Sequence, residues 1–157
     1  MNILDSSYIL HSNLDFSDSD YCLTNSVLEE IKSDEARLVI ISGIKNGNVK
    51  VMDPSPNSIK KVKKVAGETG DLTVLSSADL DILALALERG FTLFTDDYAV
   101  QNVASTLKLP WEGLQQPGIK KKLIWSKICP VCGKKYKTGE ICPICGTKLI
   151  RKVSQTL

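Results

Sequence analysis

Two short turns near the C-terminus carry four cysteines at a spacing that can bind a metal ion. They read Cys129-Pro-Val-Cys132-Gly and Cys142-Pro-Ile-Cys145-Gly, with nine residues between Cys132 and Cys142. In each turn two thiolates lie close enough to bind one ion, and two such turns complete a tetrahedral site. Because four protein ligands leave no open position for a substrate, the role of the ion would be structural. The sequence therefore predicts a zinc ribbon over residues 128–152.

Other uses of these thiols fit the rest of the sequence less well. Disulfides would need an oxidising compartment, whereas the N-terminus has no pattern of a secretory signal or of a membrane-spanning segment. The chain is therefore predicted to be cytoplasmic, without a membrane partner. An iron or iron–sulfur site is the third alternative. Cys22 stands alone in a short apolar run, which favours a small buried hydrophobe over a nucleophile.

A second group of candidate residues is a set of acids spread over residues 1–97. Each follows a predicted strand or lies on a helix beside one, so folding would bring them together: Asp5, Glu30, Asp79 and one of the pair Asp96 and Asp97. Clustered carboxylates repel one another, and divalent cations such as Mg²⁺ or Mn²⁺ compensate that charge. Two such ions can hydrolyse a phosphodiester. Taken singly, Asp79 or Asp96 is also consistent with a helix cap.

The single histidine limits the alternatives. His11 is the only one in the chain, which excludes ribonuclease chemistry that needs a pair of histidines. We interpret His11 as a structural residue.

Short apolar runs alternate with helix patterns as far as residue 108. Strands are predicted over residues 1–4, 21–24, 49–52 and 91–95. The most regular helix pattern covers 78–88, with Ser76 or Ser77 as its cap and Gly90 at its end. This order predicts an α/β fold, a parallel sheet flanked by helices, with ligands at the carboxyl ends of the strands. We place this domain at 1–108 and a linker, which contains Pro and Gly, at 109–127.

Charge is divided unequally along the chain. Residues 1–117 hold 10 Lys/Arg and 17 Asp/Glu, a net charge of −7, whereas residues 118–157 hold 10 Lys/Arg and one Glu, a net charge of +9. An acidic module attracts divalent cations and a compact basic module attracts phosphate. Basic and aromatic side chains together favour RNA, and the candidates are Lys120, Lys121, Lys122, Trp125, Lys134 and Lys135. The alternatives are that the two halves attract each other or that the ribbon binds a protein.

Four segments resemble the PIN-domain nucleases. They are residues 3–7, 27–32, 75–86 and 95–104. The last two, followed by a four-cysteine ribbon, are similar to the archaeal Nob-type endonucleases, and the resemblance covers nearly the whole chain. It implies a PIN-like domain with a small C-terminal zinc ribbon.

The resemblance also assigns roles to the acids. In chain order the four acids of the PIN site are matched by Asp5, by Glu30, by Asp79 with Asp81 as an auxiliary, and by Asp97 with Asp96 as second choice. Glu30 is chosen over Glu29 because it directly precedes an apolar residue, and a Thr-x-Asp pattern selects Asp97. The resemblance implies that these acids are catalytic and that Asp5, Asp79 and Asp97 bind Mn²⁺ or Mg²⁺.

The activity implied by the resemblance is hydrolysis of one phosphodiester in single-stranded precursor rRNA, at the 3′ end of small-subunit (16S) rRNA. The implied partners are that RNA, the nascent small ribosomal subunit and a KH-domain assembly factor. Two alternatives stay open. A stand-alone PIN toxin that cleaves tRNA or mRNA would not need the ribbon, and a non-catalytic RNA-binding assembly factor would not need the complete set of acids.

Overall fold

The computed structural model describes residues 1–13, 15–17, 19–114 and 123–156. Its larger part is built on five short strands: β1 (Asn2–Leu4), β2 (Tyr21–Leu23), β3 (Val49–Val51), β4 (Thr92–Phe94) and β5 (Trp111–Glu112). They form one sheet in the order β3-β2-β1-β4-β5, and every pairing is parallel. The first strand of the chain therefore lies at the centre of the sheet.

Helices connect these strands and cover the sheet. They are α1 (Ser6–His11), α2 (Asn25–Glu30), α3 (Asp34–Lys45), α4 (Pro56–Thr69), α5 (Ser77–Arg89) and α6 (Tyr98–Thr106). The predicted limits of α5 are confirmed, since Ser76 caps its first turn and Gly90 ends it with a φ of 70°. Helix α4 begins with Pro56 in its first turn and ends at Thr69, with Gly70 as its C-cap. The predicted parallel α/β sheet flanked by helices is confirmed.

The core lies between the sheet and the helices. Ile3 and Leu93 on the central strands are completely buried, as is the run Ile82–Ala86 of α5. A parallel sheet is normally covered on both faces, which explains why its strands lack polar alternation. Cys22 on β2 is also fully buried, as its apolar neighbours in the sequence predict.

The C-terminal part is a small antiparallel sheet. Its strands are β6 (Leu123–Ile128), β7 (Lys135–Tyr136) and β8 (Ile150–Thr156), in the order β7-β6-β8. This sheet extends beyond the predicted ribbon, residues 128–152, at both ends. Strand β6 begins inside the predicted linker, and β8 continues beyond residue 152.

Strand β5 also lies in the segment predicted as linker. It pairs with β4, and the Thr95 N–H donates to the Glu112 carbonyl over 3.0 Å. The Trp111 indole N–H donates to Ser105 Oγ over 2.8 Å and so attaches the strand to α6. A two-residue strand between Pro110 and Gly113 is too short to show alternation, so the sheet extends past the predicted limit at residue 108. No helix in the described ranges is long and apolar enough to cross a membrane.

Burial of Cys22 generates a stability prediction. Its Sγ lies 4.0 Å from the Leu23 carbonyl oxygen, too far for a serine hydroxyl at that place to form a hydrogen bond. Cys22→Ser should lower the free energy of unfolding by about 1–3 kcal/mol because a hydroxyl is buried unpaired, and Cys22→Ala should cost less. Urea unfolding measures both. A serine variant as stable as the wild type would show that the site is not apolar.

Candidate active site and four-cysteine centre

An open cleft of about 400 Å³ lies beside the carboxyl ends of β1 and β4. Five carboxylates line it, together with three serines and a histidine: Asp5, Glu30, Asp79, Asp96, Asp97, Ser6, Ser7, Ser76 and His11. All five acids selected from the sequence therefore come together at one place, although they come from four separate segments of the chain.

Asp5 is the most buried acid of the cleft, with 4% of its surface exposed. It directly follows β1 at the N-cap of α1, yet its side chain caps no helix N–H. Instead, Oδ2 accepts hydrogen bonds of 2.8 Å from the hydroxyls of Ser7 and Thr95. These neutral donors orient the carboxylate and leave its negative charge unneutralised.

Thr95 is a functional candidate that the sequence did not single out by itself. It is completely buried at the end of β4, and its hydroxyl both donates to Asp5 and accepts the N–H of Asp97 over 3.1 Å. Gln101 holds the same residue through a 2.9 Å bond to the Thr95 carbonyl. A buried threonine directly before an Asp-Asp pair is the sequence signal for this role.

Glu30 is attached to the cleft through Ser6. The Ser6 hydroxyl donates to Glu30 Oε2 over 2.9 Å and lies 3.3 Å from Asp5 Oδ1. Glu30 is the last residue of α2 and is exposed. Asp81, the predicted auxiliary, instead accepts a 2.6 Å hydrogen bond from Ser26 and ties α5 to α2.

Asp79 is both a helix cap and a lining residue. Its Oδ2 accepts the Ser76 N–H over 2.7 Å, while Ser76 Oγ accepts the Asp79 N–H over 3.1 Å, which completes a capping box. The pKa of Asp79 is raised from 3.8 to about 6, chiefly through desolvation by burial and to a smaller extent through the nearby charges of Asp5 and Asp97. The cleft therefore disfavours one more negative charge.

Both members of the Asp96/Asp97 pair reach the cleft. Asp97 is the N-cap of α6, where its Oδ1 accepts the N–H groups of Ala99 and Val100 over 2.7 and 3.3 Å. Asp96 Oδ1 accepts the Leu114 N–H over 2.6 Å. Each acid thus has one oxygen bound to backbone, and their order of importance stays a prediction.

His11 lies at the rim of the cleft and is exposed. Its Nδ1 is 2.7 Å from the Ser7 carbonyl oxygen. Because a carbonyl only accepts, Nδ1 carries the proton and a neutral ring has its lone pair on Nε2. The residue interpreted as structural therefore lies among the acids.

The donor set of the cleft suits a hard divalent cation. Carboxylate and hydroxyl oxygens are the ligands that Mg²⁺ and Mn²⁺ prefer, and no Lys or Arg is among the described residues that line the cleft. Among these described lining residues, no basic side chain offsets the repulsion between the acids. The residues present fit the predicted ions.

The four cysteines form a second site whose ligand atoms all lie within 4.8 Å of one another. The two turns fold alike: the Gly133 N–H donates to the Cys129 carbonyl over 2.8 Å and the Gly146 N–H to the Cys142 carbonyl over 2.9 Å. Both glycines have a positive φ, 71° and 72°, a conformation that a residue with a Cβ disfavours. This arrangement can hold one metal ion and is compatible with the predicted zinc ribbon.

Two of the thiols are predisposed to the thiolate form. A hydrogen bond from the Tyr136 hydroxyl, 3.4 Å from Cys142 Sγ, lowers the pKa of Cys142 to about 6. The Thr147 hydroxyl similarly lowers the pKa of Cys145. A hydrogen bond with Cys145, followed by desolvation, raises the pKa of Cys132 to about 12. Metal binding displaces such a proton, because cysteine binds a metal ion as its thiolate.

The predicted RNA-binding residues lie in different places. Lys134 and Lys135 are exposed on the ribbon. Trp125 on β6 is half-buried, and the Arg151 guanidinium lies 4.2 Å from its ring centroid, so one ring face is covered. Residues 120–122 lie outside the described part of the chain.

A parallel α/β domain with carboxylates along the ends of its strands defines a PIN-domain ribonuclease. In agreement, a family model described as the PIN domain of ribonuclease matches residues 3–88. Endoribonuclease Nob1 of Pyrococcus abyssi is 42% identical over 135 residues, 86% of this chain and 81% of that protein. The chain belongs to the Nob1 endoribonuclease family.

Two further relatives bear on the choice of substrate. Ribonuclease VapC1 of Thermoplasma acidophilum is 37% identical over 132 residues, 84% of this chain and 67% of that protein. The 20S-pre-rRNA D-site endonuclease NOB1 of Saccharomyces cerevisiae is 37% identical over 99 residues, 63% of this chain but only 21% of that protein.

The pKa of Asp79 generates a prediction about pH. Below pH 4 the carboxyl is protonated in both the folded and the unfolded chain, whereas above pH 6 its charge penalises the folded chain alone. Without Mg²⁺ or Mn²⁺, Asp79→Asn should therefore be more stable than wild type by about 1–2 kcal/mol at pH 7.5, after a discount for partial exposure. The difference should shrink towards pH 4. Urea titrations at several pH values measure this stability difference. A difference that grows as the pH is lowered would contradict the raised pKa of Asp79.

The four-cysteine centre generates a prediction about metal content. Cys142→Ser removes a buried ligand and should eliminate one tightly bound metal ion per chain, because three thiolates no longer close the site. Cys22→Ser removes one thiol outside the centre and is the matched control, so it should keep the ion. Elemental analysis of purified protein measures both. Unchanged metal in Cys142→Ser would refute the four-thiolate site.

Proposed function

We propose that this endoribonuclease hydrolyses one phosphodiester in single-stranded precursor rRNA and so matures the 3′ end of small-subunit (16S) rRNA. The observation that carries the proposal is the joining of five acids from four chain segments in one open cleft. An acidic cleft alone repels RNA, and the chain supplies a basic module in residues 118–157. This combination suits a nuclease that binds its RNA at one site and cuts it at another.

Asp5, Asp79 and Asp97 would hold Mn²⁺ or Mg²⁺, with Glu30 as a further catalytic acid and Asp96 as the second choice for the position of Asp97. When bound, such ions supply an activated water and neutralise the charge of the scissile phosphate, so that hydrolysis leaves a 3′-hydroxyl and a 5′-phosphate. No histidine or cysteine nucleophile is required.

The chain's own contribution is to hold the acids in place. Ser7 and Thr95 orient Asp5 through two 2.8 Å hydrogen bonds, and Ser6 links Asp5 to Glu30. Because these donors are neutral, the negative charge of the cleft is preserved for the cations. Side chains held by packing and hydrogen bonds keep reacting groups in position at no cost during the reaction.

The ribbon supplies RNA affinity. Zinc is the ion that four cysteines in paired turns most often bind, and we assign it to this centre. Lys134 and Lys135 are exposed there, where they can neutralise phosphates, and Lys120–Lys122 extend the same basic sequence. The nascent small subunit and a KH-domain assembly factor are the proposed partners.

The choice of rRNA rests on the relatives. The yeast protein is named for an endonuclease of 20S pre-rRNA, which favours precursor small-subunit rRNA. The likeness to ribonuclease VapC1 favours a second candidate, a toxin-type nuclease of tRNA or mRNA. The ribbon and its basic charge favour the first.

Asp5→Asn tests the cleft directly. Cleavage of a labelled RNA spanning the 3′ end of 16S rRNA should fall roughly 100-fold or more. Mutating a residue that only hydrogen-bonds to a metal ligand already lowers metal affinity or activity about 10- to 100-fold, and Asp5 is proposed to be a ligand itself. RNA binding should stay intact or improve, since a negative charge near phosphate is lost. Gel analysis with Mn²⁺ or EDTA measures cleavage.

The matched control is Asp15→Asn, which removes one exposed carboxylate that is not among the described lining residues of the cleft and should cut like wild type. Cutting by Asp5→Asn at the control rate would refute the metal site. Cutting of unrelated tRNA or mRNA at equal rates would favour the toxin-type substrate instead.

A further inference from the structure

The ribbon is attached to the nuclease domain by an ion pair. An Arg151 Nη on β8 lies 2.7 Å from Asp71 Oδ1 and donates to the Gly70 carbonyl over 3.2 Å. The guanidinium also covers the ring of Trp125 on β6. One arginine of the ribbon thus contacts two residues at the end of α4 and a neighbour on its own sheet.

Asp71 is buried, with 1% of its side chain exposed. Its Oδ2 accepts hydrogen bonds from Thr69 Oγ1 over 2.8 Å and from Asn102 Nδ2 over 2.6 Å. A buried carboxylate is stable only when it is paired, and removing its partner leaves an uncompensated charge. The nuclease domain therefore contains a charged site that the ribbon completes.

Backbone packing supports the same contact. Gly70 has a φ of 80°, and a Cβ built there would lie 2.3 Å from the Trp125 carbonyl oxygen. The main chain of β6 thus lies directly against the end of α4, closer than any other residue type would allow.

The contact is connected to the acidic cleft by short covalent and hydrogen-bonded paths. The Asp71 carbonyl accepts the N–H groups of Val74 and Leu75, and the next residue, Ser76, forms the capping box with Asp79. Asn102 lies on α6, whose N-cap is Asp97. Two elements that carry cleft acids therefore meet at the carboxylate that binds the ribbon.

We propose that Arg151 is a positioning residue that fixes the ribbon on the nuclease domain, so that both engage one RNA as a single rigid body. The spacing along the RNA between the ribbon contact and the cut is then set by the fold. Relative motion of linked domains is otherwise the usual expectation. This inference rests on the proposed function for its RNA, while the rigid attachment itself does not.

The attachment is tested by ¹⁵N relaxation of the full-length, metal-loaded protein. Wild-type amides of the ribbon and of the nuclease domain should report one common correlation time, and Arg151→Ala should shorten that of the ribbon alone. Lys152→Ala removes the same charge from the neighbouring, exposed position of β8 and should keep the common value. Separate correlation times in the wild type, or a common value in Arg151→Ala, would overturn the attachment.

The positioning role is tested by mapping cuts in the RNA that spans the 3′ end of 16S rRNA. Arg151→Ala should spread the cuts over neighbouring positions, whereas Lys152→Ala should keep the wild-type position. If both variants cut at the wild-type position, the positioning role is wrong. A wild type that cuts no RNA would refute the proposed function, and the relaxation result would still decide the attachment.

If Arg151→Ala does not fold, Arg151→Lys replaces it in both experiments. Lysine keeps the charge, but it cannot pair with Asp71, contact Gly70 and cover the Trp125 ring together. It should therefore loosen the ribbon and spread the cuts partially, with full metal content. Wild-type behaviour of this variant in both measurements would overturn the proposal.

Discussion

Repulsion between like charges at one edge of the sheet is the constraint on which the rest of the structure depends. Five carboxylates share a cleft without a lysine or arginine among its described lining residues, and burial already raises the pKa of one of them. The fold tolerates this because four of the five acids are held by neutral donors: hydroxyls at Asp5 and Glu30, and backbone N–H groups at Asp79 and Asp97. Neutral donors fix position and keep charge, which is what a cation-binding cleft requires.

The contact between the nuclease domain and the ribbon treats a carboxylate in the opposite way, by neutralising its charge. There a single buried carboxylate, Asp71, is neutralised by Arg151 from a distant part of the sequence. The same chemical group thus serves two purposes according to its surroundings. A carboxylate without a basic side chain beside it can bind a metal ion, whereas a carboxylate paired with arginine can join two domains.

Much of this could be predicted from local patterns. Apolar runs located four strands of the parallel sheet, Ser76 and Gly90 marked the limits of α5, and the paired cysteines predicted that four thiols would come together at one site. Strand β5 was not predicted, because a strand of two residues is too short to show a periodic pattern. The hydrogen bond between Thr95 and Asp5 and the Arg151–Asp71 pair were not predicted for another reason: their partners lie 90 and 80 residues apart. Spacing along a chain carries no signal for such contacts, which only the packed sheet creates.

The central position of β1 also bears on how the enzyme is made. The strand that precedes Asp5 is synthesised before its neighbour β4, and the acids that follow β4 come more than 85 residues after it. Domains fold as their chain emerges from the ribosome, so the acidic cleft stays incomplete until Asp97 has emerged. The ribbon follows later still. A nascent chain of this endoribonuclease thus remains without its complete set of acids while most of it is being translated, beside the very class of RNA that it is proposed to cut.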